Sequence, residues 1–311
     1  MPVAPQVSVC VVVRDRVDAM MRCLDALAAQ RGVEHYEVVV AVDAGSTEPV
    51  HQALLDRVAG FPVPLRVLLD PGPVAVRRNL ALRAATGDVV AWTDSDCVPE
   101  PDWLAAGLAA FELGVTTVQG RTVPDPAVPI GGWVATQQID AFTGIYETCN
   151  VFYRREVLLE AGGFDDSIGF WGEDMLAGLG VKARGGREVF APDAVVVHEV
   201  SHPGFAWHVR RARYYAQWPR VVSRRPEVRD QLIARTFMRK QDPYVIAAAL
   251  GLALAVRKPA AALAALPWLV LRRPHGLGES DLRATASLLV HDAVSVWWLV
   301  VGSVREGEVV L

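Results

Sequence analysis

The tightest constraint on this chain is an alternation in its first hundred residues. Short apolar runs at residues 7–13, 36–42, 65–69 and 88–93 are separated by stretches with helical spacing at 17–29, 49–59 and 74–85, and a fourth such stretch follows at 101–113. In the first helical stretch Val17, Met20, Met21, Leu24, Leu27 and Ala28 share one face. Strands joined by crossover helices predict an α/β fold, a mostly parallel sheet with helices on both faces. Three of the runs end on acids, at Asp43-Ala44-Gly45-Ser46, Asp70-Pro71-Gly72 and Asp94. Ligands of such sheets bind beyond the carboxyl ends of the strands, where these polar residues collect.

The alternation fades later. Residues 120–150, with Pro124, Pro126, Pro129 and Gly131-Gly132, read as a mobile loop region. Helices are expected at 154–161 and 173–183, and a short strand at 195–197 ending on His198. With 52 % hydrophobic and 21 % charged residues, the chain can bury a sizeable core. The four cysteines are scattered, without zinc spacing, and read as free thiols in a reducing compartment. Residues 1–8 lack a basic leader region, and the apolar run 9–13 meets Arg14-Asp15-Arg16 at once. No signal peptide is expected, so the catalytic part is placed in the cytoplasm.

Charge divides the chain near residue 202. Residues 1–202 hold 15 Lys/Arg and 27 Asp/Glu, whereas residues 203–311 hold 16 and 8. The basic part carries apolar runs at 244–256, 260–271 and 284–304, interrupted by Arg257-Lys258-Pro259 and Arg272-Arg273-Pro274, and by His291-Asp292 within the third. The first two are shorter than the roughly 20 residues that span a bilayer. Flanking cations suit helices lying at a membrane surface. The expectation is a domain over 1–202 and a basic helical tail over 203–311, peripheral or re-entrant at the cytoplasmic face of the plasma membrane. A helical subdomain packed on the main core is the alternative. The acidic first part argues against nucleic acid as a partner.

Asp94-Ser95-Asp96 follows the apolar strand Val89-Val90-Ala91-Trp92-Thr93. Two carboxylates at i and i+2 past a strand end can hold Mg²⁺ or Mn²⁺, hard cations that bridge to phosphate oxygens. Alone, the pair also fits a haloacid-dehalogenase-type phosphatase with Asp94 as nucleophile. The surrounding residues favour another assignment. Val7-Ser8-Val9-Cys10-Val11-Val12-Val13, Val40-Ala41-Val42-Asp43, Arg78-Asn79-Leu80-Ala81, the run Thr86 to Asp96, Gly162-Gly163-Phe164-Asp165 and Trp171-Gly172-Glu173-Asp174 appear in the order of a family. Over residues 5–202 the chain resembles the inverting family 2 glycosyltransferases of the GT-A fold.

The resemblance implies transfer of a sugar from a nucleoside diphosphate sugar to an acceptor hydroxyl, with a divalent metal. The acceptor would be a lipid-linked saccharide or cell-envelope glycolipid, or a polyprenyl phosphate in a close variant. Asp43, Arg78, Asp94, Ser95 and Asp96 would bind the donor, although Ala44 stands where the family usually carries a second acid. Arg77 offers the same chemistry as Arg78. Asp96, Asp94 and His198 would hold the metal, with His202 as substitute for the histidine. Asp174 would act as general base with Glu173 beside it. Gly163, Phe164 and Trp171 would meet the acceptor. The missing acid at position 44 leaves a non-catalytic binding module as a further alternative.

Overall fold

The computed structural model describes residues 6–272 and 279–311. Residues 1–5, part of the no-leader reading, and Arg273-Pro274, which close the second apolar run, lie outside the described residues. The chain divides into Met1–His202 and Pro203–Leu311.

The first unit is built on an eight-stranded sheet of order β3-β2-β1-β4-β7-β6-β8-β5. Strands β1 (Val7–Val13), β2 (Tyr36–Asp43), β3 (Leu65–Asp70) and β4 (Val89–Asp94) run parallel. Their side chains alternate between two cores. Val7, Val9, Val11, Val38, Val40 and Val42 face one, together with Met20, Leu24 and Leu27 of α1 (Val17–Ala28), Leu54 of α2 (Val50–Val58) and Trp103 of α4 (Trp103–Ala109). Cys10, Val39, Ala41, Val90 and Trp92 face the other, with Leu82 of α3 (Val74–Ala84), Leu158 of α5 (Arg155–Glu160) and Val181 of α6 (Glu173–Lys182). Burial on both faces is why these strands read as unbroken apolar runs.

Beyond β4 the sheet is mixed. Strands β5 (Cys97–Pro99), β6 (Val115–Pro124) and β7 (Asn150–Arg154) were not expected from the sequence, and β8 (Arg187–His198) is far longer than 195–197. β7 pairs antiparallel with β4 and β6, whereas β6 and β8 pair in parallel. Residues 120–150 are therefore partly strand and partly irregular. Two registers build the site. Thr93 of β4 lies opposite Asn150, so the segment entering β7 reaches the carboxyl edge of the parallel strands. Cys97 of β5 lies opposite His198, which brings the end of β8 to the Asp94-Ser95-Asp96 turn.

The second unit is helical. It contains α7 (Phe205–Arg211), α8 (Trp218–Arg224), α9 (Asp242–Ala255), α10 (Leu266–Arg272) and α11 (Glu279–Glu306), with 3₁₀ turns at Ala212–Gln217, Pro226–Gln231 and Pro259–Ala265. Within α11, Leu282–Glu306 is long and apolar enough to cross a membrane by length and composition.

Candidate active site

The β2–β3 register sets Asp43 beside Asp70, and the β1–β4 register sets Asp94 beside Val12. The acids read from the sequence thus share one edge of the sheet. Asp43 is buried; its Oδ1 accepts the Gly45 amide at 2.8 Å, and its Oδ2 pairs with Arg77 Nη1 at 2.8 Å. Arg77 also donates to the Gly72 carbonyl at 2.5 Å. Adjacent positions on a helix point about 100° apart, so Arg78 turns elsewhere.

Arg78 is 5 % exposed and forms the hub of the site. One guanidinium nitrogen binds Glu173 Oε1; the other donates to Thr148 Oγ1 at 2.6 Å and lies 4.0 Å from Asp94 Oδ1. Arg78 Nε and Glu173 Oε2 are buried without a hydrogen-bond partner among the described residues. Thr148, the residue that fills the fork, was not singled out in the sequence; its position before β7 becomes visible only once β7 is known.

Glu173 and Asp174 open α6. The backbone enters through two left-handed residues, Trp171 (φ 69°) and Gly172 (φ 104°). The helix N-terminus favours carboxylates in its first turn. Glu173 is 2 % exposed and locked to Arg78. Asp174 is only half-buried, and its Oδ1 accepts the Met175 amide at 2.9 Å. Burial and the adjacent Glu173 push the Asp174 carboxyl up to about 8, against the lowering pull of Arg78. A carboxyl that titrates near neutrality suits general base catalysis.

Ser95 and Asp96 form the tight turn between β4 and β5. Burial pushes Asp94 above the ordinary carboxyl range; Arg78 opposes this and Asp96 adds to it. Asp96 Oδ1 faces His198 Nε2 at 3.7 Å. His198 Nδ1 lies 2.8 Å from the Glu199 carbonyl, which can only accept, so Nδ1 is the donor there and Nε2 is the nitrogen on the Asp96 side. A carboxylate oxygen and an imidazole nitrogen are ligand types that suit a divalent cation. Cys97 Sγ lies within the same 4.8 Å group, but burial holds its thiol protonated and it is a poor partner for a hard ion. His202 is directed away, with Nε2 3.1 Å from the Pro129 carbonyl, and does not substitute.

A further correction concerns the acceptor side. Phe164 is 2 % exposed, edge-on to Trp92 with ring centroids 5.0 Å apart, and cannot touch an acceptor. Asn79 explains the Gly163-Phe164 loop: its amide donates to the Phe164 carbonyl and to Asp166, each at 2.7 Å, and its carbonyl accepts the Phe164 amide at 2.9 Å. Trp171 is half-buried and stacked on Phe170.

Sequence reasoning passed over Arg16. It adopts a left-handed backbone (φ 74°) at the start of α1, and its amide donates to Glu48 at 2.9 Å. Its guanidinium reaches Asp96 Oδ2 at 3.1 Å and binds Glu199, which also takes Arg22 at 2.8 Å. A cavity of about 330 Å³ opens beside these residues. The strand-end rule applied to β1 would have singled out this loop.

A family model described as glycosyl transferase family 2 matches residues 8–162, and one described as glycosyl transferase family group 2 matches residues 89–301, more than half of the chain. The glycosyltransferase AglE of Haloferax volcanii is 26 % identical over 179 residues, covering 53 % of this chain and 57 % of that protein. A glucosyl-dolichyl phosphate glucuronosyltransferase of the same organism is 26 % identical over 190 residues, covering 54 % and 58 %. The matched part thus spans little more than half the length of these relatives. Among solved structures, the mannosyltransferase PcManGT from Pyrobaculum calidifontis, in complex with GDP-Man and Mn²⁺, shares the fold. The TM-score is 0.60 at 23 % identity, over 98 % of this chain and 88 % of that one. With helices on both faces of a mixed sheet, its acids at one strand edge and a family model over most of its length, the chain belongs to the family 2 glycosyltransferases.

Proposed function

We propose that this glycosyltransferase moves a sugar from a nucleoside diphosphate sugar to an acceptor hydroxyl with inversion, Asp174 serving as general base. The observation that carries the reading is the Arg78 fork, which binds Glu173 and faces Asp94. It sets the acid pair of α6 beside the acids of the β4–β5 turn. Asp174 alone of the α6 pair is left without a guanidinium, and it takes the proton of the attacking hydroxyl. Glu173 orients Arg78, and Arg78 with Arg77 steadies the donor by charge-assisted bonds. Asp43 orients Arg77. Asp96 and His198, with Asp94 adjacent, would hold Mn²⁺ or Mg²⁺. Bound there, the ion neutralises charge on the diphosphate leaving group. The phosphatase and non-catalytic readings lose their support with membership in the family.

The acceptor is proposed to be a lipid-linked saccharide or glycolipid, met at the cytoplasmic face of the membrane. Support comes from the name of the glucuronosyltransferase relative, from the apolar helices of the second unit, and from its basic-aromatic stretch. There Arg211 lies 4.5 Å from the Trp207 ring centre and Arg213 5.0 Å from that of Tyr214.

A thermal-shift panel of UDP-, GDP- and dTDP-sugars with and without Mn²⁺ tests the reading, because a true donor stabilises the fold by linkage. One of these donors should raise the melting temperature in a Mn²⁺-dependent way. No binding by any nucleotide sugar with Mn²⁺, or full transfer activity in Asp96→Ala, would overturn it.

A further inference from the structure

The α9–α10 region exposes an apolar surface unlike that of a soluble helical domain. Leu252, Leu254, Val256, Leu266, Val270 and Leu271 are between 46 % and 89 % exposed. Apolar exposure on this scale marks an interaction surface. The hairpin itself is tightly made. A side chain on Gly251 would meet the Ala261 carbonyl at 2.5 Å and Ala264 Cβ at 2.6 Å, so the two arms touch through their backbones. Trp268 is buried between them with Val245 and Ala248.

Charge decides how this surface meets a bilayer. No acid occurs from residue 243 to residue 271, and the only cations there, Arg257 and Lys258, are exposed at the tip. Neither forms an ion pair among the described residues. α9 has 14 residues, about 21 Å at 1.5 Å per residue, against a hydrocarbon layer of about 30 Å. Insertion tip-first would strand both cations in hydrocarbon, where charge is costly unless it pairs or reaches water. Lying flat, the hairpin sets Leu250 and Leu254, exposed four residues apart on one face of α9, in the acyl region and both cations at the phosphates.

α11 points the same way. Asp292, near the middle of its apolar stretch and 0 % exposed, takes Arg272 Nε at 3.0 Å, Arg239 Nη1 at 3.4 Å and Trp268 Nε1 at 3.1 Å. Crossing a bilayer would carry this acid and two guanidinia to the midplane.

We propose that the α9–α10 hairpin is an in-plane anchor for an anionic lipid surface, and that no described segment of the second unit crosses the membrane. This rests on the membrane reading above and replaces its re-entrant form. The four cysteines of the chain are buried, so an introduced cysteine can be labelled selectively. A nitrobenzoxadiazole probe on Leu254→Cys, Val270→Cys or Lys258→Cys is read with lipids carrying quenchers at set depths. The vesicles are phosphatidylcholine with and without phosphatidylglycerol. Expected is deep quenching at 254 and 270, shallow quenching at 258, and flotation that requires phosphatidylglycerol. The double substitution Arg257→Glu/Lys258→Glu should weaken partitioning at least about tenfold. A probe at 258 deeper than at 254, partitioning indifferent to the charge reversal, or a protein that stays off vesicles and self-associates would each overturn the proposal. Donor-dependent thermal shifts of the same variants report separately on the sugar-transfer reading, whose failure would leave the depth pattern intact.

Discussion

Each unit buries a knot of arginines and carboxylates, and the two are finished differently. In the second unit the knot closes on itself. Asp292 is shared by Arg239, Arg272 and Trp268, while Asp242 takes the Arg239 amide at 2.7 Å and two of its guanidinium nitrogens at 2.9 and 2.6 Å. In the first unit bonding capacity is left over: Arg77 Nε, Arg78 Nε and Glu173 Oε2 are buried without partners among the described residues. A saturated charge cluster holds helices together. A cluster with spare donors beside a half-buried acid is arranged to receive something else. Substitutions in the first knot should therefore damage transfer, and those in the second should damage stability.

The sharpest break is Asp174→Asn. Loss of a general base should lower kcat by roughly 10²–10⁴-fold, while the donor-induced thermal shift survives. Its pH dependence has a definite sign. With a folded-state value of about 8, the carboxyl is increasingly ionised as pH rises, so transfer at saturating metal should climb toward a plateau above pH 8. Stability moves the other way. Between the ordinary value of 3.8 and about 8, the folded protein binds more protons than the unfolded chain, so stability falls as pH rises through that window. Asp174→Asn should flatten both profiles, as read by steady-state kinetics and urea unfolding across pH.

Asp292→Ala tests the other knot. Removing one buried partner leaves two guanidinia without their shared counter-charge, which costs about 3–5 kcal/mol in urea unfolding. Glu173→Gln should cost less, about 1.5–3 kcal/mol, because Arg78 keeps Thr148 and Asp94 within reach. It should nonetheless reduce transfer more than Asp292→Ala does in protein that remains folded. Equal losses of activity in the two variants would dissolve the contrast between a working cluster and a holding one.

What could be read beforehand follows the same physics. The parallel strands and crossover helices were legible because two-sided burial writes apolar runs and helical spacing into the sequence. β6 was not. Its Gly120 looks like a loop residue, but a side chain there would meet Asn150 Oδ1 at 2.3 Å, a demand set by a strand some 30 residues away. The candidate acids were legible as strand ends, whereas their partners were not: adjacent Arg77 and Arg78 are alike in sequence and diverge only with the turn of α3. Phe164 misleads because Gly162-Gly163-Phe164-Asp165 resembles the family's acceptor-side loop, whereas its ring packs on Trp92. Arg16 is not legible because Arg14-Asp15-Arg16 reads only as the end of an apolar run.

The smallest expected effect refines how the first knot is held in place. Gly162 and Gly163 both have left-handed backbones, at φ 94° and 69°. A side chain on Gly162 would meet nothing within 4 Å, whereas one on Gly163 would stand 2.4 Å from Asn79 Oδ1. Gly162→Ala should therefore cost only the backbone penalty, about 1–2 kcal/mol. Gly163→Ala pays the same penalty and also displaces Asn79 from the Phe164 amide. Phe164 lies 5.5 Å below the Arg78 guanidinium, so the displacement should reach the hub through packing. Gly163→Ala should then lose about 1 kcal/mol more stability than Gly162→Ala and raise the donor KM several-fold beyond it. If the two alanine variants match in KM, the Asn79 brace serves the loop alone and the Arg78 hub stands without it.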